Sequence, residues 1–145
     1  MKIVQALNDK ELQDAYTVRH HVFVEGQGVP AELERDDLDV EAHHFVGYLD
    51  NKPVAAGRVR IVDHYGKFER ICVLEAYRGK SLGKELMLAI EEALVAKDIR
   101  RAKLNAQTHA ESFYQALGYQ TISNTFLDAG MPHVTMEKKL IAKTS

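Results

Sequence analysis

The chain has no tryptophan, one cysteine, three prolines and no apolar run that approaches membrane-spanning length, and each scarcity removes a class of explanation. Cys72 alone cannot close an internal disulfide, so packing rather than covalent stapling must hold the fold. At 145 residues the chain is long enough for a core of its own, and a single domain over 1–145 is expected. Nineteen basic residues against twenty-one acidic ones leave a formal charge of -2, which supplies no basic field to gather nucleic acid. The opening stretch MKIVQALNDKE carries no apolar signal core, and a cytoplasmic location is expected. Repeats and low-complexity tracts are missing as well. The acidic segment 31–42 and the last residues, AKTS, are the stretches expected to be loosely held.

What is present is periodic. KIVQA reads as a short strand, and Asn8 with Glu11 forms a capping pair ahead of a helix over 9–23, with Leu12, Ala15, Tyr16, Arg19 and Phe23 on one face. Segments 44–49, 54–62 and 67–74 read as consecutive antiparallel strands separated by the turn sequences DNKP and DHYG. Residues 81–96 give the strongest helix, with Leu82, Leu86, Ala89, Ile90, Ala93 and Leu94 on one side. AKLNA at 102–106 follows as a strand, then a short helix over 110–117 stopped by Gly118, and two closing strands, YQTIS and HVTMEKK, around the turn DAGMP. This order mixes hairpins with one helical crossover, which predicts an α/β (α+β mixed) fold: a central mixed, mostly antiparallel sheet of six to seven strands with helices packed on it.

Metal chemistry has no signature. The doublets His20–His21 and His43–His44 lack ligand spacing, and Asp36, Asp37, Asp39 and Glu41 lack the glycine of a calcium loop, so no metal is expected. The segment that carries chemistry is RGKSLGK, Arg78 to Lys84, at a strand-to-helix turn. There the first-turn N–H groups and the positive end of the helix dipole favour an anion, and the arginine and lysines add mobile charge. A nucleotide P-loop does not fit: three residues, not four, separate the glycines, and Glu85 stands where the magnesium-binding hydroxyl belongs. GQGVPA at 26–31 is a poor dinucleotide fingerprint, since it follows a helical pattern and contains Pro30.

RGKSLG, with AESFYQALGY at 110–119 downstream, resembles the two signatures of the GNAT N-acetyltransferase superfamily: a coenzyme A loop of the form Gln/Arg-x-x-Gly-x-Gly/Ala, and a short helix carrying Phe-Tyr and ending in Leu-Gly-Tyr. Ser81 departs from the pattern, standing where the first glycine is usual; it must either adopt a strained backbone or relax the loop. The element order resembles the superfamily fold over nearly the whole chain. VRHHVFVEGQGVP, LNAQTHAESFY and FLDAGMPHVTM look like a small stand-alone bacterial subgroup.

The resemblance implies helices on both faces of the sheet and a bulge that splays the strands at 67–74 and 102–106. It implies that acetyl-CoA, as acyl donor, pairs its pantetheine arm with the backbone of Ile71, Cys72 and Val73 and lays its diphosphate on Arg78, Gly79, Lys80, Ser81, Leu82, Gly83 and Lys84. It also implies an acetyl transfer to a primary amine of a small molecule or peptide by direct attack on the thioester. Tyr114 matches the superfamily's general acid, and its neighbour Phe113 is expected in the core. Glu69 is the candidate base, or else a carboxylate paired with Arg58 or Arg60. Asn105 could bind the cofactor's amides or serve as a strand-end turn former. Glu25 and His133 could line the acceptor groove or be structural, His133 as a rigid turn histidine. If the acidic residues 32–41 border that groove they favour a cationic acceptor; a solvated surface is the other reading. Cys72 is expected to be a buried, inert side chain. Superfamily members often pair through sheet edges or C-terminal strands, so a homodimer is in keeping with the resemblance. The alternative from another class is a catalytically silent acyl-CoA sensor.

Overall fold

The structure is a computed structural model that describes residues 1–141; the AKTS segment lies outside the described residues. Two compact units are formed, Met1–Arg60 with Arg70–Ile90, and Ile61–Glu69 with Glu91 onward. In chain order the helices are α1 (Asp9–Arg19), α2 (Ala31–Glu34), α3 (Leu82–Ala96) and α4 (Glu111–Ala116). The strands are β1 (Lys2–Gln5), β2 (His43–Leu49), β3 (Lys52–Val62), β4 (Tyr65–Val73), β5 (Arg101–Gln107), β6 (Gln120–Thr121), β7 (Phe126–Asp128) and β8 (Met131–Lys139). Among the described residues they make a mixed, mostly antiparallel sheet of eight strands rather than the six to seven expected, in the order β1-β2-β3-β4-β5-β8-β6, with β7, the strand not anticipated, on β8.

In the first unit, β1, β2 and β3 form an antiparallel meander, and the β2–β3 hairpin turns on Asp50 and Asn51, both at positive φ. Asparagine and aspartate tolerate this conformation better than other side chains, which is why DNKP reads as a turn. On one face Ala15 and Val18 of α1, with Val22, pack on Val46, Ala56 and Cys72. Strand residues alternate faces, so Ile71 points the other way. There Gly57 leaves room for it: a Cβ at Gly57 would lie 2.6 Å from Ile71 Cδ1, and 3.4 Å from Ile90 Cδ1 of α3. Helices therefore cover both faces, as the resemblance implies.

Helix α1 starts as its sequence predicts, with Asn8 Oδ1 accepting the Glu11 N–H at 2.8 Å. Its end differs. Regular α-helix stops at Arg19, and His20–Gly26 continues as a π-helix, so the helical segment runs past the expected boundary at residue 23.

The acidic segment is the main correction. Far from loose surface, Ala31–Glu34 is helical, Asp37–Val40 is a 3-10 turn capped by Asp36, and Glu34 and Asp39 are buried. Arg19, with no exposed surface, donates from Nε and Nη2 to Glu34 and from Nη1 to Asp39 Oδ1 at 2.8 Å. Arg58, also buried, donates from Nη1 to Asp36 and Asp39 at 2.7 Å each, and Arg70 Nε reaches Glu34 Oε2 at 3.2 Å. Three guanidinium groups thus meet three carboxylates, and this matching is what lets Glu34 and Asp39 leave water while Glu32, Asp37 and Glu41 stay exposed.

The network also fixes how acid acts. Burial resists ionisation of Asp39, but hydrogen bonds from Arg19 and Arg58 outweigh it and hold the carboxyl well below the usual range; the Arg58 hydrogen bond lowers Asp36 likewise. Burial pushes His44 below the ordinary imidazole value, and its Nε2–H donates to the Asp39 carbonyl at 2.8 Å. On unfolding each of these groups binds protons more readily, so stability falls as pH falls. The His44 contribution is lost first, below about pH 6.5, and the carboxylate contribution below about pH 4. Denaturant midpoints measured from pH 8 to pH 3 are expected to show this two-stage decline, and His44→Gln to flatten its first stage.

In the second unit β5 pairs antiparallel with β8 from Arg101 opposite Lys139 to Gln107 opposite His133. β7 is a strand that sequence reading left unassigned ahead of the turn DAGMP; Ala129 and Gly130, both at positive φ, make the reversal. Tyr119 fills the core beside Phe68, its OH donating to Glu91 at 2.9 Å, while Lys138 Nζ meets the same carboxylate at 2.8 Å. Burial, followed by the Glu91 charge, raises the Tyr119 phenol far above its ordinary value, so it stays protonated. The parallel ladder of β4 with β5 covers only Gly66–Phe68 opposite Ala102–Leu104, although β4 continues to Val73 and β5 to Gln107.

Candidate active site

β4 leaves that ladder and then kinks. Arg70 sits at φ 58, a left-handed conformation inside a strand, which is the backbone signature of a bulge. Glu69 lies half-buried just before it, and Ile71, Cys72 and Val73 just after. Cys72 is buried, and burial pushes its thiol up to about 12. A thiol so protonated is no nucleophile at neutral pH. Native protein is therefore expected to resist iodoacetamide at pH 7.5 and to be labelled once in denaturant, as mass spectrometry would read.

Beyond Val73 the chain makes a 3-10 turn, Glu75–Tyr77, and enters the loop. Arg78 folds back, Nε donating to the Val73 carbonyl at 3.1 Å. Gly79 has φ 81, and a Cβ placed on it would meet nothing within 4 Å, so the backbone there is open to solvent. Ser81 takes φ 62: of the two alternatives, the serine adopts the strained backbone. Its carbonyl accepts the Glu85 N–H at 3.1 Å, which starts α3 and leaves the amides of Leu82, Gly83 and Lys84 without intrahelical acceptors. Leu82 is buried and pins the helix start, while Arg78, Lys80, Ser81 and Lys84 are exposed. Lys80 and Lys52 lie 5.7 and 5.5 Å from the ring centre of Tyr77. An exposed turn with open amides and three cations fits an anion such as a diphosphate. Beside Arg78 opens a groove of about 580 Å³, bordered by Thr17, His21, Gln27, Lys52 and Leu74.

Residues 6–140 match the family described as the acetyltransferase (GNAT) domain. The chain belongs to the GNAT acetyltransferase family. Among its relatives is an uncharacterized N-acetyltransferase, YjcF of Bacillus subtilis strain 168, 49% identical over 139 residues, 95% of this chain and 99% of that one. The crystal structure of an acyl-CoA N-acyltransferase from Pseudomonas aeruginosa is 26% identical, with a TM-score of 0.84 over 95% of this chain and 99% of that one. An aminoglycoside 6'-N-acetyltransferase complexed with coenzyme A, 13% identical, shares the fold at a TM-score of 0.77 over the full length of both chains. The mixed GNAT fold anticipated from the two signatures is thereby established.

The other GNAT-signature residues fall in the second unit. Tyr114, on α4, is half-buried, its ring 6.0 Å edge-on to Tyr119 and 5.0 Å from Phe113. Phe113 corrects its sequence reading: it is 39% exposed, because Tyr119 rather than Phe113 supplies the aromatic of this core. Asn105, on the exposed side of β5, accepts from the Thr135 hydroxyl at 2.8 Å across the β5–β8 pair. His133, on β8, donates Nδ1–H to the Met131 carbonyl at 2.7 Å, and its ring stacks on Phe126 of β7. In the first unit Glu25, exposed on the π-helix, accepts from His21 Nδ1 at 2.7 Å, and this hydrogen bond lowers its carboxyl. Sequence reading missed Arg70 and the buried arginines. Arg19 had left a sign, since it falls on the apolar stripe of its helix, and a charge there needs a buried partner.

Proposed function

We infer that the protein transfers an acetyl group from acetyl-CoA to a primary amine of a small molecule or peptide, within the acyl-CoA N-acyltransferase chemistry of its family. The observation that carries this reading is the Arg78–Lys84 turn, with open α3 amides beside positive-φ Gly79 and Ser81 directly after the bulged strand. Bound there, the donor would supply a thioester carbonyl open to attack. The backbone of Ile71, Cys72 and Val73 orients it, and a strand N–H freed by the bulge stabilises charge on the carbonyl oxygen. Arg78, Lys80 and Lys84 neutralise the diphosphate while the loop amides bond it. An alkylamine is mostly ammonium near pH 7, so a base must take its proton. Glu69 takes it through water, and Tyr114 returns a proton to the departing sulfur. Asn105 contacts donor amides, Glu25 and His133 contact the acceptor, and the protein works in the cytoplasm; among the described residues no helix is long and apolar enough to cross a membrane.

A thiol-release assay with acetyl-CoA and a panel of amines tests the reading. Turnover with at least one primary amine is expected; tight donor binding with none would favour the silent sensor instead. A branched residue at φ 81 is strained by about 1–3 kcal/mol, so Gly79→Val is expected to weaken coenzyme A binding about tenfold by calorimetry.

A further inference from the structure

Arg70 is held in its left-handed conformation from outside the strand. A non-glycine residue at φ 58 costs about 1–2 kcal/mol, and unrestrained strand residues avoid it. Its side chain, however, is tied at several points: Nε donates to Glu34 Oε2 and to the Glu34 carbonyl, both at 3.2 Å, and Nη2 donates to the same carbonyl at 3.1 Å. Nη2 also reaches Asp36 Oδ2 at 3.4 Å. The anchor is itself rigid, since Glu34 is 3% exposed and its carboxylate is gripped by fully buried Arg19.

We propose that the acidic segment is a positioning device for the donor strand: Glu34 and Asp36, acting through Arg70, hold the β4 bulge and so fix where the following N–H groups point. The proposal rests on the acyl-transfer reading of Ile71–Val73. Arg70 touches no reacting atom in this scheme and is a positioning residue. Glycine at this place would permit the left-handed turn without enforcing it; arginine enforces it because its guanidinium has a fixed address. A fork of planar donors suits one carboxylate and one carbonyl together, which a lysine ammonium could not match. The acidic run, which the donor loop and the signatures leave without a role, acquires one.

Two variants separate positioning from mere stability. Arg70→Ala loses the tie and disfavours the left-handed backbone, whereas Arg70→Gly loses the tie but leaves that backbone accessible. Both lose the same ion pairs, and the chain entropy that glycine adds to the unfolded state offsets the strain it relieves, so both are expected to melt at similarly lowered temperatures. Arg70→Ala is expected to lower kcat about tenfold with coenzyme A affinity changed less than twofold, and Arg70→Gly to recover at least half of that loss without recovering the melting temperature. Wild-type kcat in Arg70→Ala, or equal loss of kcat in both variants, overturns the proposal. Backbone chemical shifts at position 70 give a readout that needs no turnover: a move to extended values in Arg70→Ala supports the tie, and retained left-handed values overturn it. Should no amine be acetylated by the wild type, the acyl-transfer reading fails while the shifts still decide what holds the bulge. If Arg70→Ala does not fold, Arg70→Lys, which keeps the charge but not the planar fork, carries the same two readouts.

Discussion

Replacing Arg19 by methionine is expected to lower the melting temperature by roughly 10 °C. The side chain is fully buried and satisfies Glu34 and Asp39 together. Methionine fills much of the volume but leaves both carboxylates short of a cation, with Arg58 and Arg70 the remaining partners. Breaking a buried pair by removing one partner costs about 3–5 kcal/mol, and for a chain of this size each kcal/mol moves the midpoint by about 2–4 °C. An exposed pair is the control: Lys10→Met removes the 2.9 Å contact with Asp14 from a lysine side chain that is 79% exposed, and a shift of less than about 2 °C is expected. Thermal unfolding followed by circular dichroism compares the two directly. Equal shifts would mean the network contributes no more than a surface contact.

The second large effect concerns turnover. Tyr114→Phe is expected to reduce kcat for acetyl transfer about a hundredfold, because a positioned proton donor contributes about 10²–10⁴ and the ring remains to pack on Phe113 and Tyr119. Donor affinity and melting temperature should barely move. Steady-state kinetics at several donor concentrations separate kcat from donor affinity, and an unchanged kcat would remove Tyr114 from the reaction. Tyr119→Phe makes the complementary comparison: it deletes the hydroxyl bonded to buried Glu91 and should lower stability, since it leaves that carboxylate with one partner fewer.

Much of the fold was legible because local chemistry and tertiary demand agree. Asn8 and Glu11 cap α1, the DN and DH turns take the positive φ values such residues tolerate, and the apolar stripe of residues 82–94 becomes the buried side of α3. The Arg78–Lys84 turn was legible for the same reason, since its glycine and basic residues belong to a backbone feature encoded within a few positions. Long-range charge pairing was not. Arg19, Arg58 and Arg70 meet Glu34, Asp36 and Asp39 from separate elements, and the periodicity of any one element cannot show which carboxylate a distant arginine will find. The resemblance implied a bulge in the strand at 67–74 but not its place at Arg70 or its cause: RICV alternates like an ordinary strand, and the tie that turns it lies far back along the chain. β7 escaped because three residues between a turn and a loop carry too short a pattern to count.

Leu82 has a consequence for how the loop can evolve and how it would receive its anion. With that side chain locked in the core and exposed residues immediately before it, the loop behaves as a short tether hung from a fixed post. Its amides are displayed before any ligand arrives, so little ordering entropy opposes association and the recruitment step should depend chiefly on ionic strength. The same fixed post makes length unforgiving: one residue inserted or deleted between Gly79 and Leu82 would rotate the start of α3 by about 100° and turn its apolar stripe out of the interior.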